Sequence, residues 1–157
     1  MEPHYYNVEI NWNTDRKGMM CSPELKNDAG SCIEVATPPE FPKGIPGIWS
    51  PEHLFTAAVS SCLMTTFLSV AENSKLIFTA YTCKSKGKLE QIDGKFMMTE
   101  IILEPTVTIT DEKDREKAER VIRKSEALCL ISNSVKSKII MLPSIQISMP
   151  ANKIAGI

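Results

Sequence analysis

The sequence predicts an α+β fold of element order β-β-β-α-β-β-α-β, and three patterns carry that reading. Short alternating segments open the chain. A long, almost uncharged helical segment follows a proline-rich stretch. Two long strands then meet at Asp93-Gly94, a pair that favours a tight hairpin turn. At 157 residues the chain is expected to form a single domain over 1–157, large enough to bury a core without disulfide support.

Tyr6-Asn-Val-Glu-Ile-Asn-Trp12 alternates loosely and reads as a first strand. Thr14 to Gly18 forms a turn, Met19 to Ser22 a short returning strand, and Cys32 to Ala36 a third, together a small antiparallel sheet. Between Thr37 and Pro51 the prolines at 38, 39, 42, 46 and 51 exclude regular structure. Phe41, Ile45, Ile48 and Trp49 give this stretch apolar anchors, so it is expected to be an ordered covering loop. Ser50-Pro51-Glu52 then signals a helix start, with serine as N-cap, proline at the first position and an acid in the first turn.

That helix is expected to run to about Asn73 and, with almost no charge between His53 and Val70, to be buried on most sides, within the fold or against another subunit. Strands at about Ile77 to Leu89 and Lys95 to Thr110 follow. In the second, Met97, Thr99, Ile101, Leu103, Val107 and Ile109 share one face. Asp111 caps a second helix to about Leu130, with Ala118, Val121, Ile122, Ser125, Leu128 and Cys129 as its buried stripe. Ile145, Ile147 and Met149 alternate with polar residues in a closing strand.

Composition narrows the function classes. The 43% hydrophobic and 24% charged contents are those of an ordinary globular protein. A net charge of -1 leaves no electrostatic footprint for nucleic acid or an anionic membrane surface, and the charge run of the second helix reads as a solvated face. The first residues lack the basic and apolar regions of a signal peptide, and no apolar run approaches the roughly 20 residues that cross a bilayer. A cytoplasmic location is expected, with no nucleic-acid and no membrane partner.

The cysteines are Cys21, Cys32, Cys62, Cys83 and Cys129. Their odd number and irregular spacing argue against a disulfide framework, and with only His4 and His53 available no metal site is expected. Cys21, Cys32 and Cys83 read as small core hydrophobes. Cys62 and Cys129 differ because each sits in a distinctive string, Ser50-Pro-Glu-His-Leu-Phe-Thr-Ala-Ala-Val-Ser-Ser-Cys62 and Cys129-Leu-Ile-Ser-Asn133.

Those strings resemble the OsmC/Ohr family of thiol-dependent peroxidases. So do Trp12-x-x-Asp-Arg-Lys-Gly18 and Ala36-Thr-Pro-Pro39, and the likeness runs in order along essentially the whole chain. It implies an OsmC-like fold, two antiparallel sheets around central helices, in an interlocked homodimer. It also implies reduction of a small-molecule organic hydroperoxide, with no cofactor beyond an external dithiol reductant of lipoyl type. On the family pattern Cys62 is the peroxidatic cysteine, Cys129 the resolving one, Arg16 the cation beside the thiolate and Glu52 the acid that orients the arginine. By themselves Arg16 would be a surface turn residue and Glu52 a capping acid. Two positions depart from the commonest pattern. Leu130 stands where many members have proline, and the Asp15-Arg16-Lys17-Gly18 turn resembles the OsmC-like branch more than Ohr itself.

Helix geometry adds a constraint. Ten residues separate Glu52 from Cys62, so on one helix they lie about 15 Å apart along the axis and point roughly 80° apart. If both serve one site, a second subunit supplies one of them. The competing readings are a non-enzymatic dimer that binds a hydrophobic small molecule or responds to redox state, and a purely structural dimerisation module. A Cys62 thiol titrating near the free value of about 8.5 would favour binding over catalysis.

Overall fold

The computed structural model describes residues 2–25 and 31–148. Among them the order is β1 (Glu9–Thr14), β2 (Lys17–Cys21), β3 (Cys32–Ala36), α1 (Pro51–Asn73), β4 (Ala80–Ile92), β5 (Lys95–Ile109), α2 (Arg115–Leu128), β6 (Lys138–Met141) and β7 (Ser144–Ile147). The fold is α+β, and the predicted order holds with one added strand, β6. The chain divides into two compact units, Met1–Leu54 and Phe55–Ile157.

In the first unit β1, β2 and β3 form an antiparallel sheet in that order. The turn between β1 and β2 is tighter than the sequence pattern implies: only Asp15 and Arg16 lie between the two strands, and Asp15 adopts the left-handed φ of 47°. β1 begins at Glu9 because β2 ends at Cys21, its partner in the register. Every residue of β1 is exposed, Ile10 and the 76% exposed Trp12 among them. The loop after β3 is ordered, as its apolar anchors imply. Ala36 N donates to Trp49 O at 2.9 Å, and Ile45 N donates to Thr37 O at 2.9 Å. Gly44 permits the fold of that loop, since a Cβ there would lie 2.0 Å from the Pro38 carbonyl oxygen.

Cys21 and Cys32 correct the core reading given to them. They are joined by a disulfide, and Cys32 is exposed. The cause is register: β2 and β3 pair so that the two cysteines stand directly opposite one another. No local spacing rule reveals this, because the intervening loop length does not fix the register.

The second unit is a mixed sheet covered by helices. β4 and β5 are antiparallel through Asp93-Gly94, whose φ angles of 49° and 77° are both positive, as a type I′ turn requires. β6 and β7 pair parallel with β5, along residues 100–103 and 106–109 respectively. This corrects the expectation of two purely antiparallel sheets. The chain leaves β5, crosses over through α2 and returns in the same direction, which a parallel pair demands.

α1 starts as expected: the Ser50 hydroxyl is buried, accepts from His53 N at 3.3 Å and bonds His53 Nδ1 at 2.8 Å. It ends in a Schellman arrangement, with Leu76 N donating to Ala71 O at 2.9 Å and Lys75 N to Glu72 O at 3.0 Å. Lys75 takes the left-handed position, φ 51°, that glycine commonly fills. Val59, Cys62, Leu63, Phe67, Val70 and Ala71 are buried, whereas Met64 and Leu68 are exposed. One side of α1 is therefore covered within the chain rather than most sides. Of the described helices α1 is the one long and apolar enough to cross a membrane by length and composition. The apolar-run count misses this because Ser60, Ser61, Thr65, Thr66 and Ser69 interrupt the apolar letters without adding charge.

The core joins Leu63, Phe67 and Ala71 of α1 to Ile101, Leu103, Val107 and Ile109 of β5 and to Ala118, Val121 and Ile122 of α2. Phe67 stacks on Tyr81 at 4.8 Å between ring centroids and meets Phe78 edge-on at 5.1 Å. A bulge explains the one misplaced stretch of β5. Lys88 pairs with Glu100 but Leu89 with Met98, so Thr99 is extra and the alternation changes phase. Met98 packs on the core in place of Met97 and Thr99. In α2 the stripe ends at Ser125: Leu128 is 55% exposed and Cys129 lies beyond the helix. Met149 of the predicted last strand lies outside the described residues.

Phe67→Ala removes the ring that ties α1 to β4, and a loss of about 3–5 kcal/mol in denaturant unfolding is expected. A loss below about 1 kcal/mol would show that Phe67 does not anchor this core.

Candidate active site

α1 carries Cys62 on its buried side, and the segment after α2 carries Cys129. Both are buried free thiols, close enough for each to shift the acidity of the other. Cys129 is not a helical stripe residue. Its N–H closes the last turn onto Glu126 O at 3.1 Å, and its backbone is already extended, φ -66° and ψ 109°. The chain then turns through Leu130 and Ile131 into a 3₁₀ turn at Ser132–Ser134.

Electrostatics separate the two thiols. Burial raises the cost of a Cys62 thiolate, but the Ile131 amide, the Cys129 thiol, the Thr66 hydroxyl and the Leu130 amide all hydrogen-bond its sulfur. Together they hold the Cys62 pKa below the ordinary thiol value. Burial also pushes the Cys129 thiol up, and there the Ser132 hydroxyl and amide do not offset it; donation to Cys62 raises it further. Of the two thiols, Cys62 is therefore the first to lose its proton as pH rises. Tyr81 remains protonated well above the usual phenol range because its hydroxyl is buried beside Cys83, with Cys129 nearby.

Of the four residues singled out by sequence, the structure brings Cys62 and Cys129 together in the second unit. Arg16 and Glu52 belong to the first. Arg16 is exposed in the β1–β2 turn, where its carbonyl accepts from Thr37 N at 3.1 Å. Glu52 is half-buried in the first turn of α1. The first unit also has a cavity of about 290 Å³ lined by Gly47, Ile48, Trp49 and His53. Sequence reasoning missed Thr66, Leu130, Ile131 and Ser132. Thr66 was detectable, since it lies one helical turn beyond Cys62. The amides were not, because their direction depends on where the chain turns after α2. Cys83 is half-buried and its sulfur lies 3.4 Å from Ser85 Oγ, which in turn donates to Ser60 Oγ at 2.8 Å. Among the described residues no cluster of His, Cys, Asp and Glu is arranged to hold a metal.

The family model described as OsmC-like protein matches residues 44–141, more than half of the chain. The chain belongs to the OsmC-like family. Solved structures agree in fold. An OsmC-like protein of unknown function from Vibrio cholerae is 24% identical, with a TM-score of 0.76 over 90% of this chain and 99% of that one. An organic hydroperoxide resistance protein from Elizabethkingia anophelis is 23% identical, with a TM-score of 0.71 over 94% and 99%. The organic hydroperoxide resistance protein OhrB of Bacillus subtilis is 18% identical, with a TM-score of 0.63 over 92% and 98%. No curated protein is significantly similar in sequence.

The asymmetry of this OsmC-like thiol pair has a measurable consequence. Cys62 alkylation by iodoacetamide is expected to rise with pH through a midpoint below the ordinary thiol value, and that of Cys129 through one above it. Thr66→Val keeps the side-chain shape and removes one donor, so it moves the Cys62 midpoint upward. Peptide-resolved mass spectrometry reads both; coincident midpoints for the two cysteines would refute the assignment.

Proposed function

We propose that this OsmC-like protein is a cysteine-based peroxidase that reduces organic hydroperoxides. One observation carries the reading: a buried free thiol held below its ordinary pKa neighbours a second buried free thiol held above it. The Cys62 thiolate attacks the O–O bond, forming a sulfenic acid and releasing an alkoxide, which takes up a proton as the alcohol. The Cys129 sulfur, losing its proton, then attacks the sulfenic sulfur. Water leaves and a Cys62–Cys129 disulfide forms. An external dithiol restores both thiols by exchange and becomes a disulfide itself. No bound cofactor takes part.

Arg16 acts in this reading as the cation that steadies the thiolate and Glu52 as the acid that orients it, each supplied by the second copy of a homodimer. The helix-geometry argument supports that arrangement. So do the uncharged exposed side of α1, with Met64 and Leu68, and the exposed apolar residues of β1. Ile48 and Trp49, lining their own cavity, offer apolar surface for an alkyl or aryl group. The setting is cytoplasmic.

Stopped-flow consumption of cumene hydroperoxide and hydrogen peroxide, with a lipoyl-type dithiol as reductant, tests the activity. Cys62→Ser abolishes turnover because a serine hydroxyl is barely ionised at neutral pH. Cys129→Ser retains the first oxidation but accumulates sulfenic acid and over-oxidises. The bulky hydroperoxide reacts faster; equal or reversed rate constants would count against an apolar substrate. After mild oxidation, mass spectrometry shows a Cys62–Cys129 disulfide beside the Cys21–Cys32 one.

Subunit sharing has its own test. Mixing the inactive variants Arg16→Ala and Cys62→Ser yields heterodimers with one intact site if the residues act in trans. If they act in cis, every site lacks one group. Mixtures that stay inactive despite confirmed subunit exchange would refute the trans arrangement and leave the peroxidase reading standing.

A further inference from the structure

The charges of α2 are sorted by side rather than spread evenly over a solvated surface. Lys117, Arg120 and Lys124 recur at the three- and four-residue spacing that stacks side chains on one helix face, and Val121 falls among them. Glu119 and Glu126 lie on the other side of the helix, roughly 140° or more from the middle of that face. The cationic face borders a cleft. With Ser74, just past the end of α1, it lines a cavity of about 370 Å³, within the size range of small-molecule sites. The thiol pair takes no part in its walls.

The cations are only loosely committed. The final carbonyls of α1 are already satisfied by the backbone N–H groups of Ser74, Lys75 and Leu76, and Lys117 Nζ reaches across to Lys75 O at 3.4 Å. Two carboxylates approach at long range, Asp114 at 3.5 Å from Lys117 and Glu116 at 3.7 Å from Arg120. The side chains of the Arg120–Glu116 pair are 70% and 89% exposed, so an incoming anion has little energy to replace there. Lys124 pairs with no carboxylate among the described residues.

We propose that this cleft is a binding site for a small soluble polyanion of the phosphate class, held by Lys117, Arg120 and Lys124 with the Ser74 hydroxyl as a further donor. The class follows from the donor set. An arginine fork beside two ammonium groups suits a multiply charged oxyanion, which competes with both carboxylates where a single charge does not. The cavity volume fits a small molecule, and the acids on the far side of α2, with a chain charge of -1, leave no extended basic surface for a nucleic acid. The site goes beyond the peroxidase reading and does not depend on it.

Inorganic pyrophosphate is the probe. Titrated into the full chain at constant ionic strength, it is expected to shift the amide resonances of Ser74 and residues 117–124 saturably. Orthophosphate is expected to bind more weakly, and chloride to give no saturable shift. Arg120 and Arg123 are both exposed, so either can be replaced without touching the core. Arg120→Gln is expected to lose at least about tenfold in pyrophosphate affinity, as loss of a charged hydrogen bond implies. Arg123→Gln removes the same charge from outside the cleft and is expected to stay within about twofold of the parent. Equal losses in the two variants would overturn the proposal. So would shifts that grow without saturation or spread over basic residues elsewhere, a result that needs no variant. Failure of pyrophosphate to bind would leave the thiol chemistry untouched, and absence of peroxide turnover would leave this site standing.

Discussion

A buried thiol becomes more acidic only where the protein replaces the solvation that burial removes, and that requirement bears on the second unit. Cys62 sits on the covered side of α1, where burial alone would keep the thiol protonated. Its ionisation depends on donors that α1 cannot provide by itself. Thr66 comes from the same helix, one turn on. The rest comes from the segment that follows α2: a thiol and two amides from Cys129, Leu130 and Ile131. The end of α2 at Leu128 is therefore as important to the thiol chemistry as the helix that bears Cys62.

The sheet fixes how those pieces meet. Phe67 stacks on Tyr81, and Ser60 bonds Ser85, so α1 is held against β4 on either side of Cys62 in sequence. At Gly87 the absence of a side chain allows close approach, since a Cβ there would lie 2.3 Å from Thr56 Oγ1 of α1 and 2.4 Å from Met98 Cε of β5. α2 is anchored through Ala118, Val121 and Ile122 in the same core, and Arg115 Nη1 donates to Ile145 O at 3.0 Å. With both helices seated on one sheet, the loop after α2 has little choice in where its amides point.

The first unit is organised differently. Its sheet has an edge strand whose residues are all exposed, and a disulfide rather than a large apolar core joins β2 to β3. The exposed apolar residues of β1 resemble the uncovered side of α1, in that each presents apolar surface that a single chain leaves in water.

The sequence by itself determined the features that are encoded locally. The Ser50 cap, the uncharged α1 with Cys62 on one side, the Asp93-Gly94 turn and the stripe from Ala118 to Ser125 each follow from a residue and its neighbours within a few positions. The strings around Cys62 and Cys129 were enough to point to the family and to single out both thiols. Only the tertiary structure decided what depends on register and chain direction. The Cys21–Cys32 bridge follows from how β2 pairs with β3, the phase change at Thr99 from an extra residue in a ladder, and the parallel strands from the crossover through α2. The difference in acidity between Cys62 and Cys129 belongs to the same class. Side-chain identity names the two sulfurs, but backbone amides carry no sequence signature, and their aim is fixed only once both helices are packed.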